Sequence, residues 1–352
     1  MFVFYMLFVL PSSIAILTPS YTTAIEKGGY FKWIILALFF TFFIGYRLEV
    51  GGDWFTYLTH FEHMYYLNVS EIFQRSDPGY YLINWFMADW GFQIYSVNLI
   101  CGAIFMAGLI IFARRQPNPW LAIAVAVPYL IVVVVMGYTR QAVALGLVFW
   151  ALAALDNKKF AHFIFLIALA TTFHKSAVLM IGLGTFLQGN GKALRLIAVI
   201  AVGIGVWSAF LADYQDNLWK NYVEVQMQSQ GALIRVVMNL LPSLVFLLYR
   251  NSWKKEFDDY KFWRIIALGS IASLFLVSFA STAVDRVALY FTPIQVVVFA
   301  RLPFLLRHNL NPRFVSTGII LYYLSVLYVW LNYATHAQYW LPYQNELLLE
   351  FF

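Results

Sequence analysis

Long apolar runs recur along almost the whole chain, separated by short polar breaks. The first, 2–17, has no charged leader and no convincing cleavage site, so it reads as an uncleaved span. A second run, 31–46, is followed by a stretch of another character, 47–92. Residues 49–77 are too polar to cross a bilayer, and 55–73 reads as an amphipathic segment lying on a surface. Asp77-Pro78-Gly79 breaks that segment. The apolar piece 80–90 has about 11 residues where roughly 20 are needed to cross, so it reads as re-entrant or interfacial. Further runs follow at 93–113, 120–137, 142–155, 160–187, 193–211, 232–249, 265–280, 287–300 and 314–331. Several are shorter than a full crossing, which implies tilting or a locally thinned membrane.

The tract 160–187 is interrupted by His174-Lys175 and decides the topology. With a turn there, two short spans meet and the chain alternates cleanly. The chain then has about twelve spans (11–14 in range), with both ends outside. Composition agrees with the class: 62% of residues are hydrophobic and 11% charged, against about 25% charged in soluble domains. The expected fold is an all-α polytopic membrane protein, one integral domain over 1–352. An outer-face loop at 47–92, an outer loop at 212–230 and an outer tail at 332–352 complete it. This arrangement places sixteen of the 23 Lys and Arg inside, as the positive-inside rule requires. The single cysteine, Cys101, lies in an apolar run, so no intrachain disulfide framework exists.

Charge then singles out one face. Arg47, Asp53, Arg140, His174, Arg235 and Arg286 all fall at or just below the outer end of an apolar segment. A charge sunk into hydrocarbon is costly unless it lines a polar cavity or is paired. A single arginine at a helix end can be a snorkelling anchor; four on the face disfavoured for cations are harder to dismiss. Gly51-Gly52 allows positive φ or a close approach of backbone to a ligand, and Asp53 can cap the helix that follows. Asp285-Arg286 could equally be a self-satisfied turn pair. His60 and His63 have helical spacing but no third ligand, which argues against a metal site. Guanidinium groups grip phosphate oxygens in bidentate fashion and stay charged, so a pyrophosphate on a lipid carrier suits this face. No Walker loop and no D-x-D motif are present, and a donor already activated by lipid pyrophosphate needs neither. Sugar transfer on the outer face is the expected activity.

The chain resembles the EpsG family of bacterial exopolysaccharide and O-antigen polymerases, the Wzy-like group. The resemblance rests on Arg47 with Gly52-Asp53 and Tyr57, Pro78-Gly79-Tyr80, Arg140-Gln141, and His174 with Ser176-Ala177. Asp285-Arg286 with Tyr290-Phe291 and Trp340 with Pro342-Tyr343 complete it. The outer loop at 213–230 is shorter than in other O-antigen polymerases, which throws acceptor binding onto 53–80 and the tail. The resemblance implies a GT-C-type glycosyltransferase architecture in a bacterial inner membrane, with the site on the periplasmic or extracellular face. A growing glycan on undecaprenyl pyrophosphate would be the donor and a hydroxyl of a new lipid-linked unit the acceptor. Arg140, Arg235 and Arg286, with Arg47, would hold the pyrophosphate, and His174 or Asp53 would act as base. Tyr57, Tyr80, Gln141, Asp285, Trp340 and Tyr343 would contact sugar or acceptor. No cofactor, metal or nucleic acid is implied; a chain-length regulator protein is a candidate partner. An O-antigen ligase-like enzyme, a lipid-linked sugar transporter or flippase, and a membrane acyltransferase are the competing classes.

Overall fold

A computed structural model describes residues 1–17, 29–156, 159–185 and 231–349, together with four positions between 197 and 204. The expected span 193–211, the loop 212–230 and the basic turns near 20 and 190 lie wholly or largely outside the described residues. What is described is an all-α membrane protein. Phe2–Leu17, Tyr30–Gly45, Ile94–Ala113, Thr139–Asp156 and Pro312–Tyr333 are helices where the apolar runs require them. Three described helices are long and apolar enough to cross: Ile94–Ala113, Ser281–Leu305 and Pro312–Tyr333. The pair Ala232–Leu248 and Arg250–Glu256, bent by 76°, makes a fourth if counted as one span, and six shorter apolar helices stand beside them.

The central rod is Pro119–Ala126, which continues as a π-helix over Val127–Val135. Every residue in it is buried except Trp120, because other helices cover it on all sides. Pro128 has no N–H to give, and the ladder beyond it runs in the wider π register, a rare geometry that is frequent at functional sites. Close helix contact elsewhere depends on glycine. A Cβ on Gly108 would lie 1.9 Å from the Gly146 carbonyl oxygen, so Ile94–Ala113 and Thr139–Asp156 meet backbone to backbone, the small-residue mode of membrane helices.

Polar groups inside the bundle are joined to one another. Gln295 Nε2 donates to Asn239 Oδ1 at 2.8 Å, Asn239 Nδ2 donates to the Ala288 carbonyl at 2.8 Å, and the Tyr323 hydroxyl donates to Gln295 Oε1 at 2.9 Å. At one end of the bundle Arg301 grips Asp259 with two bonds of 2.7 Å and Gln116 with one of 2.9 Å. The opposite end carries the polar segment 46–92, and this is the site face. Ile94–Ala113 separates the two, with Asn98 on the site side and Gln116 just past its far end.

The site-face segment is more broken than one amphipathic run. Trp54–His63, a 3-10 turn at Met64–Tyr66 and the short helix Val69–Ile72 follow one another. Pro78–Asp89 is a 12-residue helix with Pro78 in its first turn. The tail returns over this face. β1 (Arg47–Leu48) and β2 (Gln344–Asn345) form a two-strand antiparallel pair, Arg47 opposite Asn345. An all-helical reading misses this strap, because two-residue strands leave no periodicity to detect.

Candidate active site

Arg47, on the first strand of the strap, is 1% exposed. Its guanidinium donates to the carbonyls of Ile44 (2.5 Å), Val50 (3.3 Å) and Met136 (3.1 Å), to Asn98 Oδ1 (3.1 Å) and to Thr139 Oγ1 (2.9 Å). Nε–H is shared between two carbonyls, Nη1 spends one hydrogen and Nη2 both, so every nitrogen of the buried guanidinium is bonded to the protein and four of its five hydrogens are used. Gly51 explains how Met136 comes so near: its φ is +114°, and a Cβ there would lie 2.3 Å from the Met136 oxygen. Gly51 N–H also donates to the Tyr339 carbonyl at 2.9 Å.

Arg140 lies in the first turn of Thr139–Asp156, with 28% of its side chain exposed. Nη1 is 2.8 Å from Asp77 Oδ2, and the guanidinium stands 5.9 Å from the centre of the Tyr57 ring. Asp77, which sequence reasoning used only as a helix breaker, is thus the partner of the arginine. Its side chain caps nothing although it stands directly before Pro78–Asp89. The signal available was an aspartate too buried to be a turn residue, and burial cannot be read from a Pro-Gly turn.

Asp53 precedes Trp54–His63 but gives that helix no side-chain cap, contrary to the expectation. Among the described residues its carboxylate makes no hydrogen bond. It is half-buried, and burial raises its pKa while the charge of Arg140 opposes the rise. The Asp77 carboxyl is raised by burial in the same way, against Arg140, Lys175 and Arg286.

His174 occupies the break between Phe160–Phe173 and the 3-10 turn Lys175–Val178, with φ −158° and ψ 116°. Its Nδ1 is 2.5 Å from Ser176 Oγ, and Nε2 is 3.3 Å from Gln141 Nε2. Ser176 Oγ donates on to the Tyr290 hydroxyl at 3.4 Å. The one tautomer that suits this chain has the proton on Nδ1 and the lone pair on Nε2, facing the Gln141 amide. Burial first, then the charges of Arg286 and Arg140, push the imidazole down to about 3. It is therefore a neutral ring between two cations.

The second arginine centre lies across Tyr138. Arg235, 6% exposed on Ala232–Leu248, donates to the Tyr129 hydroxyl and, at 3.0 Å, to the Asp285 carbonyl. Asp285 Oδ1 is also 3.0 Å from Nη1 but out of line for a hydrogen bond, so the contact is an ion pair. Asp285-Arg286 is hence no self-contained turn: it lies inside Ser281–Phe291, Asp285 faces Arg235, and Arg286 is within electrostatic reach of His174 and Asp77. Tyr138 is within electrostatic reach of Asp53, Arg235 and Asp285, and it lines the cavity beside Arg235. Tyr129 and Tyr138 were missed because a tyrosine in an apolar run looks like an interface anchor.

The remaining aromatic candidates are inside the protein. Tyr57 and Tyr80 are buried with ring centres 5.6 Å apart. Trp340 Nε1 donates to the Val132 carbonyl at 2.8 Å, and the Tyr343 hydroxyl to the Phe43 carbonyl at 2.8 Å. Both pin the tail; Trp340 in addition lines a cavity of about 530 Å³ next to Arg235.

The sequence model of the EpsG family matches residues 30–345, a stretch that includes every residue of the cleft. No curated protein matches the chain, and no solved structure matches it.

Proposed function

The chain belongs to the EpsG family, a Wzy-like polymerase family, and from the cleft we propose how it extends a polysaccharide. The donor is a glycan on a polyprenyl pyrophosphate carrier, held outside the cytoplasm, and the acceptor is a hydroxyl of a new lipid-linked repeat unit. Arg140 carries the reading: a partly exposed guanidinium fixed by Asp77 and Tyr57, within electrostatic reach of the Asp53 carboxylate, which has no hydrogen bond among the described residues.

Asp53 takes the proton of the acceptor hydroxyl, whose oxygen attacks the anomeric carbon. The bond from that carbon to the pyrophosphate breaks, and its electron pair leaves on the phosphate oxygen. Arg140 and Arg286 stabilise the charge there, where it forms. One displacement inverts the anomeric centre. Asp53 is the better base of the two candidates, because a proton on His174 would sit beside two guanidinium groups. His174, hydrogen-bonded on both nitrogens, holds Gln141 toward the cleft. Arg47 is assigned to scaffolding, since it is buried and each of its nitrogens donates to the protein, and Trp340 and Tyr343 to fastening the tail. The cations do the work a metal would otherwise do.

The test is elongation of a defined lipid-linked repeat unit by purified protein, with EDTA and without nucleotide sugar. Long chains are expected. Products that stop at one unit, or activity restored only by magnesium or manganese, would overturn this mechanism.

A further inference from the structure

The cavity beside Arg235 has a shape that its neighbours explain. It runs between two helices, Ala232–Leu248 and Pro312–Tyr333, over the π-helix. Val326, Val329 and Tyr333 form one wall, Ile234 and Met238 the other, and Val133 the floor. From Tyr333 to Ser325 the wall descends about 12 Å at the helical rise. Ile234, Val329 and Tyr333 are exposed, so among the described residues the groove opens sideways, toward the surroundings of an apolar helix face. Part of its lining is of another kind: Arg235, bonded to the Tyr129 hydroxyl, and Tyr138 border it too. Arg235 spends Nε on Tyr129 and Nη1 on Asp285, while Nη2 has no hydrogen bond among the described residues.

We propose that this groove is the binding site for the first isoprene units of a polyprenyl pyrophosphate, with a phosphate oxygen on Arg235 Nη2. This inference rests on the polymerase reading and deepens it. A sugar in the groove would leave its hydroxyls without partners along apolar walls. A neutral lipid would leave the buried cation idle. An amphiphile with an anionic head and a hydrocarbon tail satisfies both ends. Tyr138, which lines the groove beside Arg235, directly precedes Thr139–Asp156 with Arg140 in its first turn, so the head of the groove lies one turn of chain from the reacting centre. A bulk phospholipid seated there would block the cleft; the carrier would deliver its own anomeric carbon to it. The ion pair with Asp285 keeps the guanidinium in place before the carrier enters. The volume of about 530 Å³ is within the ordinary range for sites that enclose a ligand.

The experiment uses the full chain in lipid nanodiscs and a polyprenyl pyrophosphate with a diazirine on its second isoprene unit. Illumination is expected to attach the probe at residues 326–333 and 234–238. Val329→Trp, which fills the groove from an exposed position, lowers those adducts at least about tenfold, a change of about 1.4 kcal/mol in binding. Ser325→Leu, a milder fill, lowers them less, and Leu321→Trp on the same helix outside the groove leaves them unchanged. Adducts scattered evenly over the exposed helices would overturn the site. So would adducts indifferent to Val329→Trp, or the same adducts from a diazirine phosphatidylglycerol. Failure of the polymerase reading looks different: the groove labels and responds to its variants, but no repeat unit is joined.

Discussion

Arginines in this bundle fall into two groups according to what their nitrogens touch. All three guanidinium nitrogens of Arg47 and Arg301 donate to protein acceptors, whereas Arg140 is held by Asp77 through Nη1 and Arg235 by Tyr129 and Asp285 through Nε and Nη1. Only the second arrangement leaves a nitrogen for a phosphate. Arg140→Lys keeps the charge but loses the planar fork. A charge-assisted bond is worth roughly 1.5–3 kcal/mol, so chains should grow at least about tenfold more slowly, and Arg140→Ala should be close to inactive. Wild-type chain lengths in the Lys variant at matched protein level would remove Arg140 from the site. Asp53 gives a pH signature as well. A base works as its anion, so the rate climbs as pH rises through the Asp53 pKa, which burial lifts above the ordinary 3.8 and Arg140 holds down. The acid limb of kcat/KM should therefore move to higher pH in residual Arg140→Ala activity. Asp53→Asn should lower the rate by about 10²–10⁴, and an Asn variant that keeps the wild-type profile would pass the role to another group. The sequence marked Asp53, Arg140, His174 and Asp285 because charges in apolar surroundings are conspicuous. It could not mark Asp77 or Tyr129, whose types are ordinary where they stand, nor tell that Arg47 is consumed.

At the level of elements, apolar runs predicted helices well, since a buried helix needs little more than length and hydrophobicity. The break at His174 was visible too, as two polar residues in an apolar tract. What escaped was everything made by contact between elements: the π register of Val127–Val135, the β1–β2 strap, and the Gly108–Gly146 crossing. A glycine in an apolar run announces a close neighbour without saying which. Gly108→Ala would set a methyl group 1.9 Å from a carbonyl oxygen, and backbone cannot swing aside as a side chain can. Overpacking of this kind costs about 1–3 kcal/mol, so the variant should unfold at lower temperature in detergent, with the cleft's arginines untouched. Gly318→Ala is the control, because a Cβ there meets nothing within 4 Å. Equal melting of the two variants would mean that the helices part more easily than the contact implies.

For the whole molecule, the two ends of the bundle differ in what their charges do. One end holds the cleft and its tail strap; the other holds Arg301 with Asp259, Arg307 with Glu256, and exposed lysines at 254 and 255. Sixteen of the 23 basic residues belong to this second end in the twelve-span arrangement, and cations stay on the cytoplasmic side during insertion. On this basis we propose that the cleft faces outward, where a glycan with its carrier in the bilayer can reach it, the orientation being set by charges that take no part in the chemistry. It can be checked in intact cells, because the single native cysteine, Cys101, is buried and contributes little background. Cysteines at Phe55 and Tyr339, both exposed near the cleft, should react with a membrane-impermeant maleimide added outside. Cysteines at Lys255 and His308, exposed at the opposite end, should react only after the cells are opened. The pairing matters, since one site alone can be hidden by a partner or a glycan, whereas two per end must agree. Labelling of Lys255→Cys and His308→Cys from outside, with Phe55→Cys and Tyr339→Cys protected, would turn the cleft toward the cytoplasm and end the case for a donor held outside it.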